Sequence, residues 1–311
     1  APRMDENLRY DAAYQTPKVE TYFSFSTAGG FQEAVELCSG VGQCRKKLVG
    51  TMCPSYMATL DEEHTTRGRA NALRAALAGS LPDGLHSAEV YRVMDLCLEC
   101  KACKAECPSS VDMAKLKYEF LDQYHQANGI PLRNRVFAHI NKINKWGSRT
   151  APFSNWMTGN PLGQLVAQKL LGLHKNRQSP KFVRETFEKW FNRHVNSTRL
   201  PTTGTVVLLN DTYMNFNYPQ IGIAAVALLE AAGFEVILSD TECCGRPMIS
   251  KGLLDKAKRS AEANLDKLYG YVEQNIPVVG CEPSCLLTFK DEYPDLTRDP
   301  KAKQLADNSF M

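Results

Sequence analysis

Residues 97–108 read Cys97-Leu-Glu-Cys100-Lys-Ala-Cys103-Lys-Ala-Glu-Cys107-Pro108, and this run sets the character of the N-terminal half. Its cysteines follow the spacing C-x2-C-x2-C-x3-C-P, which is typical of chains that bind iron–sulfur clusters. Three thiolates two residues apart can surround one set of irons, while N–H groups of the same loop point at the sulfides. Zinc is the rival metal, but zinc sites usually take their ligands from two separated pairs. The spacing therefore favours an iron–sulfur cluster and electron transfer.

An incomplete copy of this motif lies upstream, in Cys38-Ser-Gly-Val-Gly-Gln-Cys44 and the later Cys53-Pro54. In bacterial two-cluster proteins, the cysteine that precedes proline binds the cluster of the other motif. That crossed rule assembles one complete four-thiolate site for a 4Fe-4S cluster, from Cys53, Cys97, Cys100 and Cys103.

The remaining cysteines of the two motifs, Cys38, Cys44 and Cys107, give a second site only three thiolates, because Val41 stands where a fourth cysteine is expected. Three thiolates fit a three-iron cluster, or a four-iron cluster whose last ligand is water or a side chain such as His64. They also fit a degenerate remnant that binds no cluster. These three alternatives stay open on the ligand count alone.

Two arginines, Arg67 and Arg69, stand between the cysteine motifs near the start of a predicted helix. At that position they would place positive charge beside an anionic cluster. A solvated helix start explains them equally well.

The composition is that of a globular protein long enough for two domains, with 311 residues of which 43% are hydrophobic and 23% charged. A net charge of +3 is too small to predict a nucleic-acid partner. The chain has no apolar run of about 18 residues, so we expect no transmembrane helix. Eleven cysteines with CxxC-type clusters and no export signal indicate metal binding in a reducing compartment, the cytoplasm.

The composition and the hydrophobic pattern of the chain change three times, which predicts four parts at residues 1–30, 31–140, 141–203 and 204–311. The first is an extended lead-in, and the second is an α-helical 4Fe-4S domain. In this second part apolar residues recur at helical spacing over 68–78 and 87–96. A further helix is expected after Pro108, with Ser109 or Ser110 as its N-cap.

The third part is a basic helical connector. Residues 141–200 hold eleven Lys and Arg against two acidic residues, with tryptophans and phenylalanines interleaved. A solvated connector that packs its aromatic rings on neighbouring helices explains this composition. A peripheral contact with anionic lipid on the inner face of a membrane explains it as well.

The fourth part reads as an α/β domain with a parallel sheet, because apolar strands alternate with helices. The expected strands lie at 206–209, 235–238 and 277–280, and the expected helices at 219–232 and 253–271. Chemistry in such sheets sits in the loops after the strands. Asp211, Cys243-Cys244 and the segment from Cys281 to Cys285 all fall in or near those loops.

The segment Glu242-Cys243-Cys244-Gly245-Arg246-Pro247 resembles the cysteine-rich, CCG-motif domain found in the B subunit of heterodisulfide reductase. The same domain occurs in the iron–sulfur subunits of glycolate oxidase and anaerobic glycerol-3-phosphate dehydrogenase. The resemblance implies an α + α/β fold, in which an α-helical ferredoxin-like half precedes the CCG domain. When the family's cysteine spacing is aligned with this chain, its five thiolate positions correspond to Asp211, Cys243, Cys244, Glu282 and Cys285.

Two of these five positions are carboxylates in this chain, and Cys281 sits one place early. Mixed sulfur and oxygen ligands suit a single Zn²⁺ or Fe²⁺ ion rather than the family's larger clusters. A degenerate, metal-free site is the alternative that we favour.

Several segments also resemble FAD-linked oxidases of the D-lactate, glycolate and D-2-hydroxyglutarate dehydrogenase type. They are Cys38-Ser-Gly-Val-Gly-Gln-Cys44-Arg45, Thr51-Met-Cys-Pro-Ser-Tyr-Met57, Glu63-His-Thr-Thr-Arg-Gly-Arg-Ala70, Asn210-Asp-Thr-Tyr213 and Glu282-Pro-Ser-Cys285. The resemblance implies a flavin domain or subunit as partner, FAD as its cofactor, and a quinone, cytochrome or ferredoxin-like electron acceptor. We expect this chain to be a piece of a longer enzyme whose flavin and substrate site lie elsewhere, and no catalytic residue is assigned.

Two other functions compete with electron transfer. A thiol-disulfide reductase of the heterodisulfide type would use the CCG half as its catalytic centre, but the carboxylates at Asp211 and Glu282 argue against it. A zinc-stabilised interaction protein would use the cysteines only to hold its fold together.

Overall fold

The computed structural model describes residues 17–195 and 204–311. The chain forms two compact units, Ala1–Ile130 and Pro131–Met311. Residues 1–16 of the expected lead-in and 196–203 of the expected connector lie outside the described residues. The four-part division stays a prediction, and the boundary between the compact units falls ten residues before the expected start of the connector at residue 141.

The first unit is helical, as the sequence predicted, and its described residues contain no strand. Short 3-10 turns at Ser26–Ala28, Gln43–Arg45, Glu62–His64 and Gly84–His86 separate its helices. The helices are α1 (Phe31–Glu36), α2 (Pro54–Thr59), α3 (Thr66–Leu77), α4 (Ala88–Asp95), α5 (Ala102–Glu106) and α6 (Met113–Asn128).

Side-chain caps fix where the longer helices of this unit begin. Thr65 caps α3 by accepting a hydrogen bond from the Gly68 N–H, and Ser87 caps α4 in the same way. The cap of α6 is Asp112, which accepts from the Lys115 N–H at 3.1 Å. The prediction of Ser109 or Ser110 was therefore wrong. Ser110 has a φ of 51°, in the left-handed region, whereas an N-cap requires extended backbone.

The core of the first unit lies between α3, α4 and α6. Leu73, Met94 and Phe120 are fully buried there. On α6, Met113 and Leu116 are buried beside Phe120. The half-buried Tyr124 stacks on Tyr91 at a ring distance of 4.5 Å. This core holds the ends of the three helices in place, and the cysteine loops lie at those ends.

The second unit combines helices with a small parallel sheet, as predicted. Its strands are β1 (Gly204–Leu208), β2 (Phe234–Leu238), β3 (Val278–Val279) and β4 (Ser309–Phe310). They lie in the order β2-β1-β3-β4, and every pair is parallel. Strand β4 was not expected from the sequence.

The helices of the second unit precede the sheet and then alternate with its strands. They are α7 (Leu132–Ala138), α8 (Ile140–Arg149), α9 (Phe153–Gly159), α10 (Pro161–Leu171), α11 (Phe187–Val195), α12 (Thr212–Phe216), α13 (Pro219–Ala231), α14 (Arg246–Ser250), α15 (Leu254–Glu273), α16 (Pro283–Leu287), α17 (Tyr293–Thr297) and α18 (Pro300–Asp307), with a π-helical turn at Thr288–Glu292. Among the described residues, no helix is both long and apolar enough to cross a bilayer.

One apolar cluster joins the sheet to its flanking helices. Val206, Leu208 and Val236 of the strands pack with Phe187 of α11 and Val226 of α13. A Cβ at Gly222 of α13 would lie 2.6 Å from the Phe187 ring, so the close packing requires glycine there. Because all the strands are parallel, their carboxyl ends lie at one edge of the sheet. The loops that follow β1, β2 and β3 at this edge carry the residues for which a chemical role is expected.

Candidate iron–sulfur centres and cysteine-rich site

The four cysteines predicted for the first cluster line a single cleft in the first unit: Cys53, Cys97, Cys100 and Cys103. Cys53 comes from the start of α2, 44 residues before Cys97 by their numbers. The loop that holds the other three turns sharply, because Glu99 and Lys101 adopt left-handed backbone with φ of 56° and 60°. Two such turns let one short loop present three cysteines to the same cleft.

Two buried cations flank this first cleft. Arg69 is fully buried, and its Nη1 lies 3.4 Å from the Cys53 Sγ and donates to the His64 carbonyl at 2.7 Å. Lys117 donates to the Cys97 carbonyl at 2.8 Å and pairs with the buried Glu99 at 3.1 Å. Of the two arginines that were expected beside a cluster, Arg69 therefore contacts a predicted ligand directly.

Burial opposes ionisation of two thiols in the first cleft, those of Cys97 and Cys103. It raises the pKa of Cys103 to about 12 and also raises the pKa of Cys97, against which the charges of Lys117 and Arg69 act. Thiolates in such a site require nearby positive charge, which bound iron supplies along with the two cations. Four converging cysteines and two buried cations thus fit an anionic iron–sulfur cluster.

A second cleft in the same unit is lined by Cys38, Cys44 and Cys107, the three cysteines left over by the crossed rule. Its loop contains Gly40 and Gly42, with φ of 81° and 80°, where a side chain would strain the backbone. The structure therefore sorts the seven N-terminal cysteines into the two groups that the sequence predicted.

No fourth thiol lines the second cleft among the described residues. Val41 lies there instead and is 67% exposed. His64, offered by the sequence as a fourth ligand, does not line this cleft. Its ring nitrogens lie 2.8 Å from the Thr59 hydroxyl and 3.4 Å from a Glu63 carboxylate oxygen. Arg67 lines the cleft and donates to the Gly40 carbonyl at 3.1 Å.

Sequence reasoning missed the buried Lys117–Glu99 pair beside Cys97. A signal was present, because Lys117 falls among the apolar residues Met113, Leu116 and Phe120 of α6. A lysine within an apolar helical face needs a buried partner, and here that partner comes from the cysteine loop.

The five residues of the predicted CCG site lie at the carboxyl edge of the sheet in the second unit. Asp211 caps α12 by accepting from the N–H groups of Tyr213 and Met214, both at 2.9 Å. Glu282 caps α16 by accepting from the Ser284 N–H at 3.1 Å. Both carboxylates therefore serve the local fold, a role that their positions before helix starts could have signalled.

Two thiols of this site, Cys243 and Cys244, are buried, and the half-buried Cys285 lies beside them. The Sγ atoms of Cys244 and Cys285 lie 3.2 Å apart. The Tyr293 hydroxyl donates to the Cys244 carbonyl at 3.0 Å and accepts from the Asn264 amide at 3.0 Å. A hydrogen bond to Cys244, together with burial, raises the pKa of Cys243. The buried thiols therefore resist ionisation.

The CCG residues do not gather tightly enough for a single ion. We looked for sets of three His, Cys, Asp or Glu side chains whose ligand atoms all lie within 4.8 Å of one another. Among the described residues, only Asp61, Glu63 and His64 form such a set. In that set Asp61 is exposed, and Glu63 is paired with Arg92 at 2.6 Å. A tetrahedral zinc site needs closer ligands than the CCG loops provide, so these residues do not fit a single metal ion as they stand. The predicted Zn²⁺ or Fe²⁺ stays without support.

Two family profiles each match one segment of the chain. Residues 37–112 match a 4Fe-4S dicluster domain, and residues 212–290 match a cysteine-rich domain of the CCG type. These ranges contain all seven cysteines of the two clefts and the Cys243, Cys244 and Cys285 thiols.

Three of the curated relatives are a dehydrogenase subunit, a dehydrogenase and an oxidase subunit. The C subunit of anaerobic glycerol-3-phosphate dehydrogenase from Escherichia coli K12 is 32% identical over 168 residues, which are 53% of this chain and 42% of that protein. D-2-hydroxyglutarate dehydrogenase of the same strain is 24% identical over 303 residues, covering 82% of this chain and 29% of the relative. The probable glycolate oxidase iron-sulfur subunit of Bacillus subtilis is 25% identical, covering 79% and 57%.

No solved structure matches the chain. The chain spans less than half the length of the glycerol-3-phosphate and D-2-hydroxyglutarate relatives. The chain is therefore similar to these oxidoreductases and their subunits, and it carries a segment that matches a 4Fe-4S dicluster domain followed by one that matches a cysteine-rich domain.

Proposed function

We propose that the chain is the electron-transfer module of an FAD-linked D-2-hydroxy-acid dehydrogenase. In this role it accepts electrons from a flavin domain or subunit and passes them to a quinone, cytochrome or ferredoxin-like acceptor. The observation that carries the proposal is the cleft in which Cys53, Cys97, Cys100 and Cys103 converge between two buried cations.

The first cleft would hold a 4Fe-4S cluster on its four cysteines, and such a cluster moves one electron at a time. Arg69 and Lys117 would hold the reduced, more anionic state in place by their charge. The Lys117–Glu99 pair fixes the loop of Cys97 and Cys100 from inside the helical core. These residues are the protein's means of setting the reduction potential.

The second cleft would hold a three-iron cluster on Cys38, Cys44 and Cys107. Its support is the grouping of three thiols with a valine at the fourth position. The match of residues 37–112 to a dicluster domain favours occupancy over a remnant. Two one-electron sites in one domain suit a chain that divides the electron pair of a flavin.

The CCG domain is proposed to work without a metal. Asp211 and Glu282 are used as helix caps, and the thiols of Cys243 and Cys244 are buried. The 3.2 Å approach of Cys244 and Cys285 is the one observation that favours a thiol-disulfide reductase. The raised pKa values of Cys243 and Cys244 oppose that function, because the thiolate is the attacking species in disulfide exchange.

A peripheral membrane contact on the cytoplasmic side is the second part of the proposal. Helices α9 and α10 expose a set of large apolar side chains, and none of the residues of α10 is buried. The set is Phe153, Trp156, Met157, Leu162, Leu165, Val166 and Leu170. Lys145, Arg149 and Lys169 lie on the same or neighbouring helices and supply positive charge. Apolar side chains beside basic ones are typical of helices that lie in a membrane interface.

The colour and iron content of the protein test the electron-transfer proposal. Anaerobically purified chain should be brown, absorb at about 400 nm and contain about seven irons, four from the first cleft and three from the second. A colourless protein that contains only zinc would support the interaction-protein alternative and end the proposal.

A further inference from the structure

A single carboxylate in the first unit joins the segment that leads to Cys53 with the segment that leads to Cys107. It belongs to Glu106, the last residue of α5. The Glu106 Oε1 accepts hydrogen bonds from the Thr51 N–H at 2.7 Å and from the Thr51 hydroxyl, and its Oε2 accepts from the Met52 N–H at 3.3 Å. These bonds connect residues 54 and 55 positions apart in the chain.

The backbone leaves room for this carboxylate at Gly50. The φ of Gly50 is 75°, and a Cβ at this position would lie 2.5 Å from the Glu106 Oε2. A side chain there would collide with the carboxylate, in a backbone conformation that favours glycine. The Lys46 Nζ lies 3.8 Å from the same oxygen, and the Glu106 side chain is only 24% exposed. The carboxylate therefore lies in a close-fitting cradle, shielded from most of the solvent.

The groups that Glu106 holds lead directly to predicted ligands of both clusters. Met52 is 2% exposed and lines both clefts, so the two clefts meet at this residue. Cys53 of the first cleft follows Met52 in the chain, and Cys107 of the second cleft follows Glu106. One carboxylate therefore acts on both clefts.

The loop between Cys44 and Cys53 needs such a tie. These two cysteines are nine positions apart by their numbers, whereas the regular motif places the corresponding cysteines four positions apart. A longer loop costs more conformational entropy to order. Burial supplies little in return at the loop's middle, because Leu48 is 95% exposed. The hydrogen bonds to Glu106 fix the end of this loop just before Cys53.

We propose that Glu106 is a positioning residue shared by the two clusters. It fixes Met52 between the clefts and holds the segments that lead to Cys53 and Cys107. Its negative charge makes both reduction potentials more negative, because reduction adds an electron to each cluster and a nearby anion opposes that addition. This role rests on the proposed electron-transfer function and adds to it a residue that couples the two sites.

A redox titration of the whole iron-loaded chain, monitored by electron paramagnetic resonance, tests this role. Glu106→Gln keeps the size of the side chain and loses its charge. At a fixed potential we expect at least a threefold higher ratio of reduced to oxidised protein for each cluster, which is a positive shift of about 28 mV. Lys46→Gln removes the neighbouring positive charge and should shift both potentials in the negative direction. Mere loosening of the loop would give the two variants shifts of the same sign.

The matched control is Glu89→Gln, which removes an exposed carboxylate at the start of α4 in the same unit. Glu89 lines neither cleft, so both potentials should stay at their wild-type values. Glu106→Asp keeps the charge with a shorter reach, and it should shift both potentials by less than half as much as Glu106→Gln.

Unchanged potentials in iron-loaded Glu106→Gln, or a shift of one cluster alone, would overturn the shared role and leave the electron-transfer proposal standing. If Glu106→Gln does not take up iron, Lys46→Gln decides, and an unchanged or more positive potential in that variant overturns the role. A wild-type chain without iron would instead end the electron-transfer proposal itself, so the iron content of the wild type is measured first.

Discussion

Replacing Arg69 by methionine should lower the reduction potential of the cluster in the first cleft. The Arg69 Nη1 lies 3.4 Å from the Cys53 sulfur, and the side chain is fully buried. At an effective dielectric constant of about 20, two unit charges at that separation interact by about 5 kcal/mol. The electron added on reduction is spread over the whole cluster, so roughly a quarter of that energy should act on it. The expected change is a potential about 50 mV more negative, since about 59 mV corresponds to a factor of ten for one electron.

The same substitution removes hydrogen bonds, so charge and structure have to be separated. Arg69 also donates to the carbonyls of His64 and Val93 and to the Ser55 hydroxyl. Arg69→Lys keeps the charge and loses the planar group that makes several of these contacts. We therefore expect Arg69→Lys to lower stability by several kcal/mol as well, but to shift the potential by less than half as much as Arg69→Met.

The assay is a redox titration monitored by electron paramagnetic resonance, on protein whose iron content matches that of the wild type. Arg74→Met is the control, because this buried arginine donates to the Cys38 carbonyl near the second cleft instead. A potential of the first cluster that is unchanged, or more positive, in fully loaded Arg69→Met would refute the electrostatic argument.

Three further changes test other parts of the account. Val41→Cys should supply the missing thiolate of the second cleft and raise the iron content by about one per chain; an unchanged content with normal folding would speak against a three-iron site. Asp211→Ala should lower the free energy of unfolding by about 1 kcal/mol, because it removes the cap of α12, and Asp211→Asn should lower it less. Chemical denaturation measures both changes. Loss of a bound metal in either variant would contradict the metal-free site. Trp156→Ser should reduce co-sedimentation of the protein with anionic vesicles severalfold, because the exposed ring is lost. Trp190→Ser is the comparison, since it removes a tryptophan ring that is half-buried. Equal sedimentation of the wild type and Trp156→Ser would contradict the membrane contact.

The grouping of the cysteines could be predicted because it follows from local spacing. Cys97, Cys100 and Cys103 belong to one short loop, and the crossed rule adds Cys53 without knowledge of the fold. The helical first unit and the parallel sheet were also within reach, because apolar periodicity reports which face of each element is buried.

Features that depend on tertiary contacts were beyond the sequence. The Lys117–Glu99 pair joins residues 18 apart by their numbers, and only the packing of α6 against the cysteine loop brings them together. The cap of α6 was misplaced because Ser110 is held in left-handed backbone, which no local pattern revealed. Strand β4 has two residues and exists through its pairing with β3.

The iron content of two cysteine variants tests the central claim most directly. Cys100 lines the first cleft, whereas Cys281 lies outside both clefts and packs against the apolar cluster of the second unit. Cys100→Ser should lose the first cluster, or about four irons per chain, and Cys281→Ser should keep the wild-type content. Equal losses in the two variants, or full iron in Cys100→Ser, would contradict the assignment of the first cluster to Cys53, Cys97, Cys100 and Cys103.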